Sequence, residues 1–131
     1  RILKEYEARY KENRLVLICS MHEEEQVAET KRIASEYGIS NTQVSGLVSE
    51  MLGEIALHIA QRFGITRYII CGGDTSAAFC SKLSINGMKI NREIQPGLPD
   101  CISLKPPYYH LVLKSGSFGS ENFVEEAMNY I

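Results

Sequence analysis

IICGGDTSAAFCSKL, Ile69 to Leu83, is the stretch whose reading decides the fold. An apolar run rich in β-branched residues ends in Gly72 and Gly73. Asp74-Thr75-Ser76 follow, and then a helix-like pattern begins. A buried strand that runs through glycines into a helix is the repeating junction of an α/β layer. Glycine at such a junction serves a tight turn, a close approach of something to the backbone, or both.

Upstream, the pattern alternates. Ile2, Leu3, Tyr6 and Tyr10 are spaced for one helix face within residues 1–13. Leu15-Val16-Leu17-Ile18 reads as a buried strand. Glu23 to Tyr37 reads as a helix with three glutamates at its dipole-favoured start and Gly38 as its stop. The clearest helix carries Val44, Leu47, Val48, Met51, Leu52, Ile55, Ile59 and Phe63, with Ser40 or Asn41 to cap it and Gly64 to end it. Tyr68 to Cys71 is the second buried strand.

Downstream, Thr75 to Leu83 is a short helix and Asn86-Gly87 a turn signal. Met88 to Ile94 alternates as a strand with one wet face. Pro96-Gly97-Leu98-Pro99 reads as a rigid loop, and Cys101–Leu104 and His110–Leu113 as two more strands. An amphipathic helix with Phe123, Val124, Ala127 and Met128 closes the chain. The expected class is α/β: a layered sheet, largely parallel with some antiparallel strands, flanked by helices.

The 131 residues make one domain's worth of chain, enough to bury a core without staples. A net charge of -2 leaves no basic excess for neutralising nucleic-acid phosphates. No apolar run approaches the roughly 18 residues of a membrane span. Cys19, Cys71, Cys80 and Cys101 form no C-x-x-C pair and read as small buried residues in a reducing, cytoplasmic setting. Three scattered histidines supply no zinc-ligand pairs.

Two segments share one design, a strand, a glycine-bearing polar loop and a helix start: residues 71–79 and residues 113–123. The first amides of a helix have no internal partner and lie at the positive end of its dipole, which suits an anion such as phosphate. Lys114, beside Ser115 and Gly116, can add a point charge. Asp74 can cap the helix or meet a magnesium-bound water. Neither segment is a P-loop or a G-x-G-x-x-G fingerprint, so a tight turn with a helix cap is the competing reading of each. His22 reads as a surface residue, His58 as structural and His110 as packing. Ser76 and Ser115 lack the G-x-S-x-G setting of a hydrolase.

GGDTSAAFCSKL, EIQPGLPDCISL (residues 93–104) and LVLKSGSFGSENF (residues 111–123) together resemble the C-terminal nucleotide-binding domain of the four-carbon acid sugar kinases, which include D-threonate, D-erythronate and 3-oxo-tetronate kinases. The resemblance is strong over about residues 66–131. It implies ATP, with Mg²⁺, against Gly72, Gly73, Asp74, Thr75 and Gly116, with Ser76, Lys114 and Ser115 as neighbours. Asp74 stands where the family has Glu, and Ala77 where a glycine is common. The family's serine-rich G-S motif and its sugar-acid domain are not visible.

The resemblance therefore implies that residues 1–131 are a single domain, the C-terminal nucleotide-binding part of a longer kinase, inactive alone. The sugar acid would be bound by an N-terminal domain. Nucleic acid and membrane are not expected as partners, and a homo-oligomer is compatible with everything above. The rival reading is a non-catalytic α/β anion-binding or interaction module, in which the glycine loops are turns or hold another anion.

Overall fold

A computed structural model describes residues 1–13, 15–20, 23–114, 116 and 118–131. The expectations for His22 and Ser115 therefore lie outside the described residues. In chain order come α1 (Ile2–Glu12), α2 (Glu24–Glu36), α3 (Asn41–Phe63), β1 (Arg67–Cys71), α4 (Gly73–Lys82), β2 (Met88–Gln95), β3 (Leu98–Ser103), β4 (His110–Lys114) and α5 (Phe123–Met128).

The long helix forms where its caps allow. Ser40 Oγ accepts from the Gln43 N–H at 3.3 Å and Gln43 Oε1 accepts from the Ser40 N–H at 2.8 Å, a reciprocal capping box. Gly64, at φ +66°, ends the helix in the left-handed conformation and turns the chain into β1.

The sheet order is β1-β4-β3-β2. β1 and β4 are parallel, with Arg67 opposite His110 and Cys71 opposite Lys114. β4 and β3 are antiparallel, as are β3 and β2. The α/β layering with flanking helices is as expected. The balance of strand directions is not, because only one of the three pairings is parallel. The reason lies in connection length. A parallel return needs a crossover of a dozen or more residues. Pro96-Gly97 joins β2 to β3 in a tight turn, with Gly97 at φ +75°, and six residues join β3 to β4. Leu98 and Pro99, expected in a loop, therefore begin β3.

Side chains on β1 and β4 alternate between two apolar faces. Tyr68, Ile70, Leu111 and Leu113 pack with Phe79, Leu83 and Tyr109, beneath Ala56, Leu57 and Ala60 of α3. Ile69 and Val112 face the other way, against Leu98, Phe123 and Ala127. Both faces are covered, which is why these strands read as continuous apolar runs. Burying one such side chain contributes about 1.5–3 kcal/mol. α3 approaches α4 closely at Gly53, where a Cβ would lie 3.0 Å from the Ala78 carbonyl oxygen.

Three expectations are corrected here. Among the described residues, 15–20 pair with no strand, and Leu17 is 83% exposed. The segment lies instead along α1, where Val16 and Ile18 face Ile2 and Tyr6. Apolar composition makes a strand only when an edge is available to pair with. The cysteines are not uniformly buried either: Cys101 is, Cys80 is half-buried, and Cys19 and Cys71 are exposed free thiols. Cys71 is the last residue of β1, where the covered part of the sheet ends. The turn expected at Asn86-Gly87 falls at Leu83-Ser84, with Ser84 at φ 55°. Gly87 leads into β2 and its carbonyl accepts from the Leu104 N–H at 3.0 Å.

α1 leans on the end of α3. Tyr6 stacks on Tyr10 at 5.6 Å and tilts against Phe63 at 5.1 Å, and Glu7 meets Arg62 at 2.9 Å. Burial pushes the Tyr6 and Tyr68 hydroxyls up from their usual range, with neighbouring tyrosines adding to it.

Candidate functional site

Parallel strands end at the same edge of a sheet. Because β1 and β4 are parallel neighbours, the loops after Cys71 and after Lys114 emerge side by side. The Gly72 N–H donates to the Lys114 carbonyl at 2.8 Å and extends the ladder into the loops. The β2–β3 turn reaches the same edge, since β3 runs antiparallel to β4 with Asp100 opposite Val112. The three motif segments, distant in sequence, thus share one end of the sheet.

Gly72 is the N-cap of α4, at φ +107°, and its carbonyl accepts the first helical bond from Ser76 at 2.9 Å. Among the described residues no side chain caps this helix. The amides of Gly73, Asp74 and Thr75 are therefore the ones that α-helix geometry leaves without internal acceptors. Asp74 lies in the first helical turn, exposed, and is not the cap. Its carboxylate still favours the dipole there.

A phosphate is compatible with this corner on three observations. A Cβ on Gly73 would meet nothing within 4 Å, so the space beside the first residue of the helix is open. Ser76 Oγ is buried and, among the described residues, has no hydrogen-bond partner. Such an orphan calls for an explanation, and an acceptor at the helix start supplies one. Lys114 Nζ donates to the Gly116 carbonyl at 3.1 Å and, among the described residues, is in no ion pair, so its charge is not neutralised. For a hard divalent cation, Asp74 offers one carboxylate, the usual complement when phosphate oxygens supply other ligands. Among the described residues no group of three or more His, Cys, Asp or Glu is placed to hold a metal by itself.

Residues outside the eight candidates also shape this edge. Gly119, at φ +93°, has no room for a side chain: a Cβ would lie 3.0 Å from Leu98 Cδ1 and 3.3 Å from both Lys114 Cε and Phe123 Cγ. Gln95 Nε2 donates to Ser120 Oγ at 2.6 Å, and Gln95 Oε1 accepts from the Ser120 N–H at 2.9 Å. These contacts tie the loop after β4 to the β2–β3 turn. The signal for them was the nearness of Gly97 and Gly119 to the apolar strand ends.

The other candidates serve elsewhere. His58 is exposed, 3.5 Å from Glu54. His110 packs with polar partners: its Nε2 lies 2.6 Å from Oδ2 of the fully buried Asp100. Asp100 also accepts from Asn91 Nδ2 at 2.8 Å and from the Arg92 N–H at 2.9 Å. Burial alone would raise the Asp100 carboxyl, but the hydrogen bonds from Asn91, His110 and Arg92 outweigh it and hold it below its usual value. A recess of about 420 Å³, lined by Leu57, Gln61, Lys82 and Tyr109 among others, opens at the opposite end of the sheet. No glycine-loop residue lines it, and Lys82 is already paired with Glu50 and Glu54 at 2.9 and 3.3 Å. It offers an anion little, so the chemistry points to the loops rather than to the recess.

A covered α/β sheet whose glycine loop feeds an uncapped helix start defines a class, the domains that hold anionic ligands at strand ends. More particularly, the chain belongs to the nucleotide-binding C-terminal domain family of the four-carbon acid sugar kinases; the family model described as "Nucleotide-binding C-terminal domain" matches residues 1–124. The 3-oxo-tetronate kinase of Cupriavidus necator is 32% identical over 103 residues, 79% of this chain and 23% of that protein. The 3-oxo-tetronate kinase of Salmonella typhimurium is 40% identical over 91 residues, covering 70% and 21%. The chain spans about a quarter of the length of these curated relatives. Among solved structures, a Haemophilus influenzae protein is similar at TM-score 0.65 and 29% identity, over 78% of this chain and 24% of that one. A Bordetella bronchiseptica domain, crystallised with citrate as a domain-swapped dimer, is similar at TM-score 0.57 and 26% identity, over 61% and 21%.

Proposed function

We propose that this chain is the ATP-binding portion of a kinase that phosphorylates a four-carbon sugar acid of the threonate, erythronate or 3-oxo-tetronate type. The observation that carries this reading is the parallel β1–β4 pairing, which brings the Gly72–Ser76 corner to the same edge as Lys114 and Gly116. The kinase relatives and the family description support it.

Phosphoryl transfer depends on positioning and on charge stabilisation. The amides of Gly73, Asp74 and Thr75 and the ammonium of Lys114 would receive the phosphate oxygens. Ser76 Oγ would donate from behind, and the left-handed Gly116 would let the backbone approach. Ser115, the remaining candidate from the sequence, lies outside the described residues. Asp74 would hold Mg²⁺, which when bound neutralises charge on the phosphates. The sugar acid and the base that deprotonates its hydroxyl would be supplied by a further domain of a longer protein, so the 131 residues alone would be inactive. The family domain would then be residues 1–131 as one unit. Four free thiols suit a reducing cytoplasm, and no helix among the described residues is long and apolar enough to cross a membrane. The domain-swapped Bordetella neighbour supports a homo-oligomer as the form to look for.

Calorimetric titration tests the reading. Saturable, magnesium-sensitive ATP binding that Gly116→Val abolishes is the expected result. Binding unaffected by Gly116→Val would reject the assigned site. No ATP binding at all would favour the rival, a non-catalytic anion-binding or interaction module.

A further inference from the structure

Phe118 is the exposed aromatic at the glycine edge. The residue is 60% exposed, and its ring lies next to two glycine positions. A Cβ on Gly97 would lie 3.9 Å from its Cδ1, and one on Gly116 would lie 3.9 Å from its Cδ2. Gly97 closes the β2–β3 turn at φ +75°, and Gly116 follows β4 at φ +58°. A side chain at either of these two left-handed glycines, from separate motifs, would thus touch the one ring. The nearby core of Leu98, Val112, Phe123 and Ala127 is closed without it.

The placement matches one ligand. Gly116 lies two residues beyond Lys114, whose carbonyl receives the Gly72 amide. From the end of β1 to the ends of β4 and β3, beside which the ring lies, is one to two strand spacings, about 5–10 Å. That is comparable to the reach of a nucleotide from its phosphates to its base. We propose that Phe118 is the platform on which the nucleobase stacks while the phosphates occupy the Gly73–Thr75 amides. This inference rests on the nucleotide-binding reading above. A ring face reads no hydrogen-bonding edge, so stacking is tolerant of base identity. The consequence is an ATP-to-GTP preference that Phe118 does not set.

The test separates base from phosphate. The chain and its Phe118→Ala, Phe118→Leu and Phe118→Tyr variants are titrated with MgATP and with inorganic tripolyphosphate. Stacking predicts a loss of ATP affinity of about tenfold or more in Ala and Leu, retention in Tyr, and unchanged tripolyphosphate affinity throughout. Phe118→Trp places the one tryptophan in a chain that has none, and its emission should be quenched saturably by ATP and not by tripolyphosphate. Equal ATP affinity in wild type and Phe118→Ala overturns the inference and leaves the phosphate site standing. Parallel loss of both ligands also overturns it, marking the ring as structural or as covered by another protein segment. If wild type binds neither ligand, this inference and the nucleotide-binding reading fall together.

Discussion

The amide of Gly72 donates to the carbonyl of Lys114 at 2.8 Å, joining two loops that are more than forty residues apart in sequence. That bond continues the parallel ladder past Cys71, the last residue of β1. It holds Gly72 at φ +107° and sets the direction in which the first amides of α4 point.

Gly72 and Gly73 should therefore answer differently to substitution. Gly73→Val meets open space at an ordinary backbone angle, so stability to urea should hold within about 0.5 kcal/mol. Its side chain would fill the space beside the helix start, and ATP binding should be lost. Gly72→Ala forces a side chain into a strained conformation 3.4 Å from Thr75 Oγ1, and should cost about 1–3 kcal/mol. Equal effects on stability would contradict the assigned geometry.

Two glycines of α3 make a second paired test. Replacing glycine by alanine inside a helix normally stabilises by about 0.5–1 kcal/mol. Gly46→Ala, with nothing within 4 Å of the new Cβ, should show that gain in thermal unfolding. Gly53→Ala places its Cβ 3.0 Å from the Ala78 carbonyl oxygen and 3.1 Å from Lys82 Cγ. Overpacking of this kind costs about 1–3 kcal/mol, which exceeds the propensity gain, so the variant should be less stable than wild type.

Asp100 should impose an acid limb on stability. Its carboxyl is held below the ordinary value by Asn91, His110 and Arg92, against the effect of burial. A carboxyl depressed on folding stabilises the native state above its unfolded pKa of about 3.9, and that contribution is lost as pH falls through the folded value. Denaturation across pH 7 to 2 should show wild type losing stability below about pH 4 more steeply than Asp100→Asn. At neutral pH, Asp100→Ala should cost about 1–3 kcal/mol, because three part-buried donors lose their shared acceptor. Parallel pH curves would remove Asp100 from this role.

Leu17 tests the corrected strand. At 83% exposure, Leu17→Ser should change stability by less than about 0.5 kcal/mol. A strand position buried in the sheet would cost several times as much.

Much of the fold was legible in the chain. Ser40, Gln43 and Gly64 bound α3 through short-range hydrogen bonds and a left-handed glycine, which depend only on neighbouring residues. Gly38, at φ +70°, follows α2 for the same reason. The strand cores at Ile69-Ile70 and Leu111–Leu113 were visible because both faces are covered. Leu15–Ile18 has the same composition but no paired edge, and composition cannot report whether a partner strand is present.

The sequence by itself determined the local pieces of the site: glycines at strand ends, a helix start that follows them and a lysine two residues before Gly116. These follow from backbone freedom and from helix-end chemistry, both readable over a few residues. Only the tertiary structure decided that β4 inserts between β1 and β3 and lies parallel to β1. Strand order depends on how two apolar faces are covered at once, a property of the whole sheet. That insertion sets Gly72 against Lys114, and the fold leaves Asp74 out of the capping position and puts Phe118 next to Gly97 and Gly116.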